Sequence, residues 1–231
     1  MNFRTTSLLI IAVINIIAGA VSAESAKHPS LTVTNDSYDF GFIPIDYRVS
    51  YTYYIKNTGS EILNIDRIIN NCDCTSSQLF QKQIPPGDSA ELTIIFHTRN
   101  YYGRTTRTVT VHSNDPVKPE FDISYTAEIG LLPKLYKTSP ASLIILPATS
   151  QKTISLLNLS ENDIDFNIEY QDKMYFTLDK TAGRIASRDS VLITVSPVAD
   201  TPAGTFYNNF TILYKEKEDI RLTVPVKIIK Y

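Results

Sequence analysis

The chain has 231 residues, 22 basic against 24 acidic side chains, a formal net charge of −2, two cysteines and no tryptophan. A charge balance this even, with no basic stripe, excludes nucleic acid and acidic lipid surfaces as natural partners. Two cysteines cannot build a disulfide scaffold, so stability must come from hydrophobic cores, and the length suffices for two domains of about 100 residues each.

The first residues read as a targeting segment. Arg4 gives a short basic region, Leu8 to Ile17 is an apolar run, and Val21-Ser22-Ala23 supplies the small residues of a cleavage site. Residues 1–23 are therefore expected to be a secretory signal peptide cut after Ala23. The run is too short for a membrane span, which needs ~20 apolar residues. No later segment of the chain could span one, and no Cys sits near Ala23 to carry a lipid anchor.

Leu31-Thr32-Val33 predicts a short strand and Asn35-Asp36-Ser37 a turn. In Tyr38 to Pro44, Phe40 and Ile43 are expected to point inward. Val49 to Lys56 alternates, with Val49, Tyr51, Tyr53 and Ile55 on one face and Ser50, Thr52 and Tyr54 on the other. That period of two marks a half-buried antiparallel strand. Asn57-Thr58-Gly59-Ser60 is a turn, Ile62 to Ile69 a strand, and Pro85-Pro86-Gly87-Asp88 a tight turn. Ala90 to His97 and Thr106 to His112 form a hairpin around Asn100 to Gly103, and Phe121 to Ile129 closes the first unit. Gly130-Leu131-Leu132-Pro133 is a short junction. Beyond it, strands are predicted at 153–157, 164–170, 191–196, 206–214 and 220–229, and no convincing amphipathic helix occurs.

The second series is a copy of the first. Ile84-Pro85-Pro86-Gly87-Asp88-Ser89 returns as Ile185-Ala186-Ser187-Arg188-Asp189-Ser190, an offset of 101 residues. The same offset places Gly103 on Gly204, Thr110-Val111 on Thr211-Ile212 and Asn57 on Asn158. A period of that size is one β-sandwich domain, not a short solenoid repeat. The expected fold is all-β: two tandem immunoglobulin-like sandwiches, 30–130 and 131–231, behind the signal peptide.

Phe40-Gly41-x-Ile43, Asn57-Thr58-Gly59, Cys72-x-Cys74-Thr75, Pro86-Gly87 and Ser113-Asn114-Asp115-Pro116 occur in that order. Together they resemble the bacterial domain-of-unknown-function family 1573, an immunoglobulin-like group related to the ASH/Hydin and major-sperm-protein sandwiches, over about residues 31–129. The family usually shows Cys-Gly-Cys-Thr, where this chain has Asp73 in the Gly place, and the second copy lacks the Cys pair. The resemblance implies an exported adhesive or scaffolding module without established catalysis, common in the Bacteroidetes, at the periplasm or cell surface.

Cys72 and Cys74 are the one constellation that could carry chemistry. In an extended segment residues i and i+2 share a face, so the two sulfurs sit side by side. Strand directions bring Cys72 and Cys74 to the same end as His97, Tyr101 and Arg104. Three readings stay open. The two thiolates with His97 could hold a soft metal such as Cu or Zn. The pair could form a disulfide in a redox role. Or both are structural, as small apolar groups or a loop-pinning disulfide. His112 reads as a solvated strand-end residue and His28 as part of a disordered leader. With no Gly-x-Ser-x-Gly elbow, no partnered His and only eight glycines, neither a hydrolase triad nor a phosphate loop can be assembled, and an enzyme is not expected. Tyr101 and Tyr102, at a hairpin tip with little core to fill, are candidate partner contacts. The sequence thus points to an exported non-enzymatic module that binds an envelope or cell-surface protein through loop tips or sheet edges, with redox or metal handling at Cys72 and Cys74 as the alternative.

Overall fold

The computed structural model describes residues 27–146, 151–171 and 174–231, so the segment read as a signal peptide lies outside it. All the regular structure among these residues is β. The first half contains β1 (Leu31–Thr34), β2 (Ser37–Ile43), β3 (Arg48–Asn57), β4 (Leu63–Asn70), β5 (Thr75–Leu79), β6 (Gln83–Ile84), β7 (Ser89–His97), β8 (Gly103–Ser113) and β9 (Glu120–Ile129). The second contains β10 (Tyr136–Ser139), β11 (Leu143–Ile145), β12 (Lys152–Asn158), β13 (Ile164–Glu169), β14 (Phe176–Leu178), β15 (Ala182–Ile185), β16 (Ser190–Pro197), β17 (Gly204–Tyr214) and β18 (Ile220–Lys230). Every strand expected from alternation is present. β5, β6, β10, β11, β14 and β15 are additional, being short or polar.

Each half has a four-stranded sheet of the same order, β1-β3-β7-β5 and β10-β12-β16-β14. The registers also repeat at 101 residues: Lys56 faces Ser89 as Leu157 faces Ser190, and Thr75 faces Phe96 as Phe176 faces Pro197. Two separate cores result. Phe40, Tyr53, Leu92, Phe96 and Tyr125 lie in one, and Tyr136, Phe166, Phe176, Phe210 and Tyr214 in the other.

The Asn57 and Asn158 equivalence extends to single atoms. Both side chains are fully buried. Asn57 Nδ2 donates to the carbonyls of Glu61 (2.7 Å) and Ile84 (2.8 Å), and its Oδ1 accepts from the Gly59 N–H at 3.0 Å. Asn158 Nδ2 donates to Asn162 (2.7 Å) and Ile185 (3.2 Å), and its Oδ1 accepts from the Ser160 N–H at 3.0 Å. An amide has two donors and an acceptor, which is what a buried turn with two orphan carbonyls and one orphan N–H requires.

The remaining strands form one sheet that runs through both halves, in the order β15-β13-β17-β18-β2-β9-β8-β4-β6. β2 is the seam: it runs parallel to β9 on one side and to β18 on the other. A register shift between Asp39 and Phe42 turns its side chains both ways. Phe40 and Ile43 enter the first core, as expected, while Phe42 packs against the second. Gly41 makes this possible. Its φ is +64°, and a Cβ there would fall on the backbone carbonyl of Arg221 in β18. Hydrogen bonds close the seam, from Thr223 Oγ1 to the Phe40 carbonyl (2.5 Å) and from Arg221 Nε to the Asp39 carbonyl (2.6 Å).

Candidate functional site

β4 delivers the chain to Asn71-Cys72-Asp73-Cys74, and β5 begins at Thr75. Cys72 and Cys74 are joined as a disulfide with Cα atoms 5.1 Å apart. The Cys74 N–H points at the Cys72 sulfur (3.1 Å) and the Thr75 N–H donates to the Cys72 carbonyl (3.1 Å). Arg99 clamps the loop from outside, with Nη1 on Asp73 Oδ2 (3.0 Å) and Nη2 on the Asp73 carbonyl (2.8 Å). Asp73 is not among the described residues with positive φ, so the position often held by Gly needs none here and instead gives Arg99 its carboxylate. Beneath the loop the Thr75 hydroxyl bonds the Tyr125 hydroxyl, and burial pushes the Tyr125 phenol up to about 12.

The expected cluster assembles in part. The His97 N–H donates to the Cys74 carbonyl at 2.9 Å, so backbone pairing does bring them together. The His97 ring, however, turns to Asp46, with Nε2 3.1 Å from Oδ1. With both sulfurs in a disulfide there is no thiolate pair, so a Cys72, Cys74 and His97 site for Cu or Zn is not formed in this arrangement. Among the described residues no three His, Cys, Asp or Glu side chains converge to hold a metal. Access for thiol exchange is one-sided: Cys74 is 2% exposed and Cys72 half-buried, so an attacking thiolate could reach only the Cys72 sulfur. Arg104 lies elsewhere, paired with Glu128 at 3.0 Å.

The hairpin tyrosines separate. Tyr102 is 70% exposed. Tyr101 packs against the first core, with its hydroxyl 4.0 Å from the Cys72 sulfur and Arg107 over its ring. Two histidine expectations are corrected. His112 is buried, not solvated, its ring between Glu120 and Arg67, because β8 and β4 pair over it. His28 belongs to ordered chain, its carbonyl accepting from the Ser60 N–H at 3.0 Å.

Sequence reasoning missed one concavity. A cleft of about 1210 Å³ lies between the halves. One wall is the outer face of the first four-stranded sheet, in rows set by register: Ser50 and Ile95, then Thr52, Thr93 and Gln78, then Tyr54 and Glu91. The other wall includes Gln171, Tyr207 and the stacked Tyr175 and Phe206 rings, 4.6 Å apart. At its base Tyr38 stacks on Tyr51 (3.7 Å) and shares a hydrogen bond with Thr211 (3.0 Å), and burial pushes the Tyr38 phenol upward.

The second half also covers an exposed backbone edge. β1 reaches only as far as Tyr54 along β3. Beyond it, the Ser50 N–H is taken by Asn209 Oδ1 (2.6 Å), and Gln171 bonds both the N–H (2.7 Å) and carbonyl (2.9 Å) of Thr52. Side-chain amides thus do the work of a neighbouring strand. The signal for this was the abrupt polar sequence Asn208-Asn209, which falls on a strand otherwise expected to be apolar.

No curated protein matches the chain. Among solved structures it is similar to a protein of unknown function from Porphyromonas gingivalis W83, at 12% identity over 86% of this chain and 99% of that one, TM-score 0.35. It is also similar to WR4, a Caenorhabditis elegans MSP family member, at 11% identity over 42% and 98%, TM-score 0.36. A third likeness is to the ASH / PapD-like domain 7 of human CEP192, at 9% identity over 52% and 97%, TM-score 0.37. Residues 31–129, the stretch from β1 to β9 that carries the Phe-Gly, Asn-Thr-Gly and Cys-x-Cys motifs, match the family described as protein of unknown function (DUF1573).

Proposed function

We propose that the chain is an exported, non-enzymatic module of two tandem immunoglobulin-like sandwiches, 30–130 and 131–231, that recognises another protein of the cell envelope or surface. The observation that carries this reading is the cleft between the halves. Its walls are hydroxyls, amides and aromatic rings, a surface suited to holding a partner. The titratable groups at its base serve structure: Arg221 bonds Glu169 (3.0 Å) and the Asp39 carbonyl. Among the described residues no helix is long and apolar enough to cross a membrane.

Export and recognition are tested together. Intact mass of the protein recovered from the envelope should correspond to a chain beginning at Glu24. Crosslinking in intact cells should then enrich the same protein reproducibly. A chain that keeps residues 1–23 and enriches nothing after crosslinking overturns the reading.

A further inference from the structure

β5 and β14 are the same strand of the two halves. Thr75 to Leu79 lies 101 residues before Phe176 to Lys180, and among the described residues each strand pairs only with the third strand of its own sheet, β7 or β16. Each is therefore a sheet edge, with one row of backbone groups turned away from the sheet. Such an edge pairs with other chains unless it is short or carries charge. β14 has both protections. It is three residues long and runs directly into Asp179 and Lys180, which form an ion pair. β5 has neither. It is five residues, Thr-Ser-Ser-Gln-Leu, with no charge and no proline, and it ends in Phe80, which is 66% exposed.

The direction of the free groups follows from the ladder. The His97 N–H bonds the Cys74 carbonyl, so Cys74 is a hydrogen-bonded pair, and by alternation Ser76 and Gln78 face β7. Ser77 and Leu79 therefore aim their N–H and carbonyl groups at the vacant side. The disulfide loop fixes the start of this edge, since Cys72 takes the Thr75 N–H and Arg99 holds Asp73. On the outer face, Gln78 and Phe80 continue into the cleft wall.

We propose that β5 is the docking edge for an extended, uncharged peptide segment of a partner, which adds as a fifth strand beside Ser77 and Leu79. The segment's alternate side chains continue the outer face towards Gln78 and Phe80. A second copy of this chain is the poorer occupant: a stable dimer uses about 20–30 residues a side, whereas a five-residue edge has the size of a peptide site. This inference rests on the reading of the chain as a protein-binding module.

The test selects binders to the oxidised mature chain from a displayed library of random linear peptides. The expected binders protect the Ser77 and Leu79 amides from hydrogen exchange. They weaken about tenfold or more when alternate peptide nitrogens are methylated. They weaken as much against the double variant Gln78→Asp, Leu79→Lys, which copies the second half's charges onto the first. Ser77→Pro, which removes an outward N–H without touching the ladder to β7, should act likewise. Light scattering and thermal melting of both variants confirm a folded chain. Binders insensitive to the variants and to methylation overturn the edge but leave protein recognition standing. A dimer that the double variant dissolves assigns the edge to a second copy and also overturns it. A library that yields no binder to the unmodified chain overturns the module reading itself.

Discussion

Where the two halves are compared strand for strand, they agree in the backbone and part company at one corner. The Val198 N–H bonds the Tyr175 carbonyl (3.0 Å) as the His97 N–H bonds Cys74, so the second half closes the same ladder with Tyr175 where the first half has a half-cystine. The disulfide is therefore not needed to form this sheet. Its place beside the uncharged β5, and its absence beside the charged end of β14, ties it to whatever the first half does that the second does not. In a tandem pair the shared features report folding and the unshared ones report use, and here the unshared ones sit together.

The halves are separate frames joined at β2, and the substitution expected to disturb that joint most is at Gly41. A Gly41→Val side chain would meet the Arg221 backbone in a left-handed position that β-branched residues avoid. A cost of about 4 kcal/mol is expected, at the upper end for a point change. Scanning calorimetry should show one cooperative transition for the native chain and two for the variant. A single transition at unchanged temperature would mean that β18 does not lean on β2.

Asn57→Ala and Asn158→Ala sharpen the equivalence. Each leaves at least two carbonyls and one N–H without the amide that satisfied them inside the protein. Each should cost about 2–3 kcal/mol in denaturant unfolding, and the two losses should agree within about 1 kcal/mol. Unequal losses would show that the repeat is formal and that one half carries the stability.

The frame was legible because period-two alternation and a 101-residue offset are local properties of the chain. Val49 to Ile55 and Ala90 to Phe96 advertise their buried faces one residue at a time. β5 was not legible, since Thr-Ser-Ser-Gln-Leu has no apolar alternation and is a strand only because β7 pairs with it. The cleft was invisible for a stronger reason. It depends on β2 pairing with β18, some 180 residues later, and on Gln171 and Asn209 capping β3, contacts that no local pattern encodes. At the cysteine corner the meeting of His97 with Cys74 followed from strand direction, but the ring's choice of Asp46 follows from a turn whose Asp46 has φ +64°.

A smaller effect tests the corner by pH. Burial raises the Tyr125 phenol to about 12, so the folded state holds its proton more tightly than the unfolded chain, whose tyrosine titrates near 10. Stability from this group is fully present below pH 10 and is lost as pH rises from 10 to about 12. Tyr125→Phe should therefore flatten the loss by about 1 kcal/mol at pH 11 in denaturant titrations. Buried Tyr214 in the second half keeps its own alkaline loss, because burial raises its phenol too. Equal slopes for the native chain and the variant would remove Tyr125 from the alkaline loss.

The smallest difference between the halves is one turn residue. Gly87 has φ +84°, and its counterpart Arg188 has φ +59°, so the second copy holds an L side chain in the left-handed region. That conformation costs about 1 kcal/mol or more for a residue with a Cβ. Arg188 also pairs with Glu161, but both side chains are largely exposed, and such a pair contributes little. In a Glu161→Gln background, where the pair is already gone, Arg188→Gly should stabilise the chain by about 0.5 kcal/mol, once glycine's extra freedom in the unfolded state is counted. The reciprocal Gly87→Arg, which has open space around its Cβ position, should destabilise by about 0.5 kcal/mol, the backbone strain being offset in part by the lost unfolded-state freedom of glycine. Matching, opposite shifts in the denaturation midpoint would show that the two turns are one structure with different residues in it. A Gly87→Arg variant as stable as the native chain would show that the turns have diverged in backbone as well as in sequence.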